Sequence, residues 1–226
     1  FSAGCLEDTS WNQCRKAGDI QVCSSAYGGS EIKAFRGVAK IQAPIMQLVP
    51  VLFDAEHFSD WQVNVKRIEV IEDLVPPGEQ SCLVERIEHS YGKKPWLVRW
   101  VFWVPDSDFV YSASYHLKPD ATHFALYLEN YDGQNVQEEK KYRRGAVQSC
   151  YVLDRTENEN ETQIRVEIWV DLNLDLDPSR INASLEDWPI DMINGLRSHV
   201  TKPGSKREIK GLEAFLGQCI VESELS

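Results

Sequence analysis

The feature that most constrains the fold is a run of six strand-like segments followed by one long amphipathic helix. In the last segment, QIRVEIWVDL, apolar and polar side chains alternate, which is typical of an antiparallel strand with one buried and one wet face. The helix expected to cover the buried faces begins at Asp187 and carries Met192 and Leu196 on its apolar stripe. The pattern predicts an α+β fold in which a curved antiparallel sheet wraps around a C-terminal helix, with a ligand cavity between them. The segments span roughly residues 64–73, 81–90, 107–117, 122–130, 145–154 and 162–172.

The N-terminal part adds a hairpin and a helix to this plan. Strands over residues 19–27 and 31–42 are joined by Gly28–Gly29. A helix begins at Ala43-Pro44, because proline is tolerated at the first helical position. Its apolar stripe consists of Ile45, Leu48, Val49 and Leu52.

Two further segments lie outside these elements. Ser10 and Gln13 match a capping box, which predicts a short helix ending at Gly18. Residues 173–186 have the composition of a polar loop. Since no linker divides the chain, we expect one domain over residues 1–226 with a core of about residues 18–218.

Charge and hydropathy exclude several classes of protein. A net charge of -11 argues against binding nucleic-acid phosphates, because such binding needs a basic face. The hydrophobic fraction of 42% excludes a disordered chain. The most apolar run, from Trp96 to Val104, is interrupted by Arg99 and is far shorter than the ~20 residues of a membrane-spanning helix.

That run belongs to the stretch YGKKPWLVRWVFWV over residues 91–104. Trp96, Trp100 and Trp103 are spaced as on one face of a helix, although a strand also fits. Three interpretations stay open: the tryptophans pack in the core, line a pocket, or enter a bilayer interface, where tryptophan is favoured. In the last case residues 93–104 make a transient membrane contact, with Lys93, Lys94 and Arg99 meeting anionic headgroups.

The six cysteines show no CxxC pairing, so a zinc site is not expected. We predict one disulfide, Cys14–Cys23, and an exported protein; free thiols in a cytoplasmic protein are the alternative. Ala3-Gly4-Cys5 resembles the end of a bacterial lipoprotein signal, which indicates the periplasm, with a lipid anchor near Cys5, or secretion.

The sequence contains no G-x-S-x-G, HExxH or glycine-rich phosphate motif, so we expect no catalytic residue, metal or cofactor. His116 and His123 should face each other across a hairpin, where they could share a metal ion, although exposed cross-strand histidines are common. Asp171, Asp175 and Asp177 resemble a calcium loop but lack the glycine and the terminal glutamate of an EF-hand.

Several stretches together resemble the StAR-related lipid-transfer (START) domains of the helix-grip, birch-pollen-allergen-like superfamily. The similarity covers about residues 18–215, and the segments that carry it are GDIQVCSS, EIKAFRGVAKIQAP, LFDAEHFSDWQVNVKRIEVIE, PDSDFVY, RGAVQSCYVL, TQIRVEIWVDLN and DWPIDMINGL. Residues 88–106 and 174–186 depart from the family pattern, and both flank the mouth of the family's cavity. The resemblance therefore implies a deep apolar cavity but does not identify its ligand.

The resemblance implies a protein that binds a lipid, a sterol or another hydrophobic molecule without a cofactor, and we expect it to act as a monomer and to transfer its ligand. The alternative is a helix-grip enzyme, such as a polyketide cyclase, an aromatase or a hydrolase, for which Arg99 and His199 are the available ionisable groups. A third class, an interaction module, follows if the tryptophans fill the cavity. The candidate ligand-binding residues are Trp96, Arg99, Trp100, Trp103, Tyr111, Tyr115, Tyr127, Met192, Leu196 and His199.

Overall fold

A computed structural model describes residues 5–6, 9–80, 82–93, 105–132, 136–201 and 208–223. Within these residues ten strands form one sheet with the order β1-β2-β3-β10-β9-β7-β6-β5-β4, and β8 pairs in parallel with β6. The strands are β1 Gln13–Ala17, β2 Ile20–Tyr27, β3 Ser30–Ile41, β4 Val65–Gln80, β5 Leu83–Gly92, β6 Asp106–Leu117, β7 His123–Asn130, β8 Tyr142–Arg144, β9 Ala146–Arg155 and β10 Thr162–Asp171. The helices are α1 Ile45–Phe53, α2 Pro178–Leu185, α3 Trp188–Val200 and α4 Leu212–Ser223, with a 3-10 helix over Ala55–Asp60.

The strand predictions are confirmed, and all pairings except that of β8 are antiparallel. Gly28 and Gly29 join β2 to β3 with φ values of 55° and 74°, a left-handed conformation that glycine adopts without steric cost. The predicted α+β fold, a curved antiparallel sheet with a C-terminal helix against it, is therefore the observed one.

Two local predictions are wrong. The capping-box helix at residues 10–18 is instead β1, which pairs with β2 from Gln13 to Ala17. The local helix signal is overridden because β1 can complete its backbone hydrogen bonds on the edge of the sheet. The predicted polar loop at residues 173–186 contains α2, whose start is capped by the Asp177 carboxylate accepting from the Ser179 N–H at 2.8 Å.

Helix α3 covers the concave face of the sheet at close range. Trp188, Met192, Ile193 and Leu196 are buried on its inner side. A Cβ atom on Gly37 would lie 2.7 Å from the Pro189 Cβ, so β3 presents bare backbone where α3 crosses it. This close approach determines the distance between α3 and the sheet.

The disulfide between Cys14 and Cys23, which sit opposite each other on β1 and β2, is present as predicted. Because it constrains the unfolded chain across a separation of 9 residues, the double variant Cys14→Ser/Cys23→Ser is expected to lose about 2–3 kcal/mol of unfolding free energy. Urea unfolding checks this, with oxidised wild type as the reference. Equal midpoints for the two proteins would contradict a stabilising role for the disulfide.

The outer face of β5 and β6 carries a buried polar network. The Asp108 carboxylate, 1% exposed, lies 2.7 Å from His89 Nε2 and accepts hydrogen bonds from Arg144 Nε and Nη2 at 3.1 and 2.9 Å. The Tyr91 hydroxyl lies 3.1 Å from His89 Nδ1. Since Arg144 belongs to β8, the network stabilises the position of β8 beside β6.

Candidate functional site

The candidate site is an interior cavity of about 70 Å³ between the concave face of the sheet and α3. Side chains alternate along each strand, so residues of one parity on neighbouring strands meet there. Apolar groups dominate its lining: Phe109 from β6, Leu128 from β7, Val147 from β9, Ile168 and Val170 from β10, and Met192 from α3. Typical ligand pockets measure about 300–1,000 Å³, so this cavity is smaller than a lipid-sized ligand needs.

A smaller number of polar side chains share this lining. Ser90 and Tyr111 lie on the β5–β6 side, whereas Ser149 and Tyr151 come from β9. Gln62 and Asn64 follow the 3-10 helix and reach the cavity from the segment before β4. Gln62 Oε1 and Asn64 Nδ2 are buried and have no hydrogen-bond partner among the described residues.

Behind Ser90 and Tyr111 lies a buried acidic group that the sequence predictions missed. Glu88 is 2% exposed, and its Oε1 accepts a hydrogen bond from the Tyr115 hydroxyl at 2.7 Å. Burial raises the pKa of the Glu88 carboxyl, against the opposing effects of the bond from Tyr115 and the positive charge of Arg86. Since it is buried beside the cavity-lining Tyr111, this carboxyl with a raised pKa is a candidate for function.

The pH dependence of stability provides a test of this assignment. Between the ordinary pKa of 4.5 and the raised value, the folded protein holds a proton that the unfolded chain releases. The unfolding free energy should therefore fall as the pH rises through this range, by up to about 1.4 kcal/mol per pH unit. Glu88→Gln should flatten that dependence and raise the Tm at the alkaline end.

The matched control is Glu85→Gln, because Glu85 lies on the same strand but faces the other side of the sheet. Urea unfolding of wild type and both variants over a pH series measures the slopes. If the unfolding free energy of Glu88→Gln changed with pH as steeply as that of wild type and Glu85→Gln, Glu88 would not be the group that causes the pH dependence.

An outer cleft of about 400 Å³ adjoins the other side of this buried group. Arg86 lines the cleft, where its Nε lies 3.0 Å from Asp73 Oδ1 and its guanidinium lies 4.4 Å from the centre of the Phe53 ring. Phe53 in turn stacks on Phe215 of α4 at 5.2 Å and contacts Tyr115 at 5.1 Å. This aromatic cluster lies between the cleft and Glu88, and α4 contributes Phe215 to it.

Only some of the predicted site residues line the cavity. Tyr111 and Met192 line the cavity. Tyr115 and Leu196 are buried in the same core but do not line the cavity, and His199 is half-buried near the end of α3. Their roles in ligand binding stay predictions.

Other predicted site residues lie elsewhere. Tyr127 packs with Ala125, Cys150 and Val152 in a small cluster on the opposite face of β7 and β9, away from the cavity. Trp96, Arg99, Trp100 and Trp103 lie outside the described residues, so the three interpretations of that segment stay open.

The histidine pair and the aspartate loop that could hold metal ions are not arranged as the sequence suggested. His116 pairs with Ala125 rather than with His123, whose Nδ1 lies 2.7 Å from Asp154 Oδ1. Asp177 is engaged as the cap of α2, and Asp171 accepts a hydrogen bond from the Asn173 N–H at 2.8 Å.

Another group of potential metal ligands was not foreseen. One sulphur each of Cys5 and Cys150 and a Glu167 carboxylate oxygen lie within 4.8 Å of one another on the outer face of the sheet. Arg36 Nη2 lies 2.7 Å from Glu167 Oε1, and Arg165 Nε lies 3.7 Å from the same atom. Two guanidinium groups around one carboxylate oppose the approach of a cation, so this group is better explained as a buried ion pair beside two thiols.

Comparisons with known proteins agree with this geometry. No protein-family model matches the sequence, and the comparison with curated proteins gives no match. Among solved structures, a STAR-related lipid transfer protein from Xanthomonas axonopodis superposes with a TM-score of 0.68 at 20% identity, over 85% of this chain and 99% of that one. Human STARD10 superposes with a TM-score of 0.72 at 16% identity, over 96% of this chain and 82% of that one.

A third structure, the lipid transfer and protein localization domain of human StarD13, has a TM-score of 0.68 at 14% identity, over 88% of this chain and 92% of that one. Each of the three superposes on at least 85% of this chain, which includes most of the sheet and helices described above. The chain therefore has the helix-grip fold of the StAR-related lipid-transfer domains.

Proposed function

We propose that this protein binds one hydrophobic molecule, a lipid or a sterol, in the cavity beneath α3. The observation that carries the proposal is the cavity itself, whose mostly apolar lining lies between the sheet and α3. Burial of apolar ligand surface contributes about 25 cal/mol per Å², so such a site needs neither a metal nor a cofactor to bind. The names of the similar structures, which describe lipid-transfer proteins, support the same assignment.

Binding a ligand of lipid size requires this cavity to enlarge. Met192 is the most adaptable side chain of the lining, because an unbranched thioether repacks at low cost. At the other end, α4 contributes Phe215 to the aromatic cluster beside Arg86. We assign the enlargement of the cavity to repacking of Met192 and displacement of α4 from Phe53.

We also propose that the protein is exported and transfers its ligand as a monomer. The Cys14–Cys23 disulfide supports an oxidising compartment. Within the described residues no helix is both long and apolar enough to cross a membrane. A carrier that holds its ligand inside the fold can release it at one membrane and load it at another.

Titration with environment-sensitive fluorescent lipids, followed by a transfer assay between donor and acceptor vesicles, tests the proposal. Saturable binding of one lipid per chain, with faster transfer than in buffer alone, is the expected result. Saturable binding without faster transfer would restrict the function to binding. Failure to bind fluorescent fatty acids, phospholipids and sterols alike would overturn the proposal.

One observation favours a second function, an enzyme with a hydrophobic substrate. Glu88 is a buried carboxyl with a raised pKa opposite Tyr111, so it could exchange a proton with a substrate through the Tyr111 hydroxyl in the cavity. Such an enzyme would lose turnover in the Glu88→Gln variant while it keeps substrate binding. A carrier would keep both binding and transfer in that variant.

A further inference from the structure

Two polar atoms of the cavity wall have no hydrogen-bond partner among the described residues. Gln62 is 1% exposed and its Oε1 has no partner among the described residues, and neither does the buried Nδ2 of Asn64. Both residues line the cavity. Buried polar atoms are nearly always bonded in folded proteins, so two unbonded ones in the same small cavity require an explanation.

The positions of both side chains are fixed by their backbones. The Gln62 N–H donates to the Phe58 carbonyl at 2.9 Å, and the Gln62 carbonyl accepts from the Val65 N–H at 3.2 Å. The Asn64 carbonyl accepts from the Lys93 N–H at 2.8 Å. These bonds place the segment between the 3-10 helix and β4, so its two amides are held at the cavity wall by the local fold.

The Gln62 amide interacts with the Tyr151 hydroxyl, which lines the same cavity. A primary amide has a carbonyl oxygen, which accepts hydrogen bonds, and an NH2 group, which donates them. The cavity therefore presents an acceptor, Gln62 Oε1, and a donor, Asn64 Nδ2, within a lining that is otherwise mostly apolar.

The chemistry of these two atoms selects among ligand head groups. A hydroxyl group can donate to Gln62 Oε1 and accept from Asn64 Nδ2 at the same time. A carboxylate accepts only and would leave Gln62 Oε1 unbonded, whereas a hydrocarbon would leave both atoms unbonded. Resting on the function proposed above, we propose that the ligand is an apolar molecule with a hydroxyl group, which Gln62 and Asn64 bind at the cavity wall.

Competition against a fluorescent apolar probe, with dodecanol, dodecane and dodecanoate as competitors, tests this selectivity on the wild-type protein. We expect dodecanol to bind at least about tenfold more tightly than the other two, because a site built for a hydroxyl rejects analogues that leave its polar atoms unpaired. Equal binding of dodecanol and dodecane would overturn the assignment. Failure of all three to bind would overturn the proposed function itself and this assignment with it.

Variants then locate the effect. Gln62→Leu and Asn64→Leu should each weaken dodecanol binding by about tenfold while dodecane binding stays equal or becomes tighter. Gln163→Leu is the matched control, because Gln163 is exposed on β10 and should leave both affinities unchanged. An equal change in dodecanol and dodecane binding in both cavity variants would show a packing effect and would overturn the assignment. Because each cavity variant is made separately, the test can be carried out if either Gln62→Leu or Asn64→Leu folds.

Discussion

Met192→Trp is expected to weaken the binding of every hydrophobic ligand by at least about tenfold. Met192 lies on the inner face of α3 and lines a cavity of about 70 Å³. The larger and more rigid indole should occupy that space and remove the adaptable thioether. Titration of a fluorescent lipid into wild type and variant measures the change.

The matched control is Ile190→Trp, which introduces the same side chain two positions earlier on α3. Ile190 is half-buried and does not line the cavity. We expect this variant to bind ligand as the wild type does. Equal affinities for Met192→Trp and wild type, with both folded, would mean that the ligand binds elsewhere.

Asp108→Ala is expected to lower the unfolding free energy by about 3–5 kcal/mol, the largest effect on stability. The substitution removes the common partner of His89 and Arg144 and leaves both without their bonds to it. Breaking a buried ion pair from one side is costly because the remaining charge has lost its compensation. Since Arg144 belongs to β8, the loss should also loosen β8 from β6.

Asp106→Ala is the control for that variant, because Asp106 lies on the same strand and pairs with the half-exposed Lys66 at 2.5 Å. A partly exposed pair of this kind contributes about 0–1 kcal/mol. Urea unfolding of both variants compares the two losses. A difference of less than about 1 kcal/mol between them would contradict a stabilising role for the buried network.

The sheet and its closing helix could be predicted because each strand carries its own signal. In β10, every second residue from Ile164 to Val170 is buried, and the alternation in the sequence shows it directly. The apolar stripe of α3 can also be seen in the local sequence, because Met192 and Leu196 lie one turn apart. The small β1 was missed because only its pairing with β2 makes it a strand.

The polar part of the site could not be predicted, because it depends on contacts between distant segments. Glu88 is buried opposite Tyr111 by the register of β5 against β6, and the long connection between those strands gives no turn signal that fixes this register. Gln62 reaches the cavity only because the chain turns after the 3-10 helix. By contrast, Tyr111 could be placed on the inner face from the alternation of β6 alone.

If a hydrophobic molecule occupies the space between the sheet and α3, native mass spectrometry of the purified protein should detect it. We expect the 25.8 kDa chain to carry the added mass of one apolar molecule, which denaturing solvent releases and which contains a hydroxyl group. The Met192→Trp protein should lack that added mass. A bare chain that also takes up no lipid when lipids are supplied in excess would contradict the account.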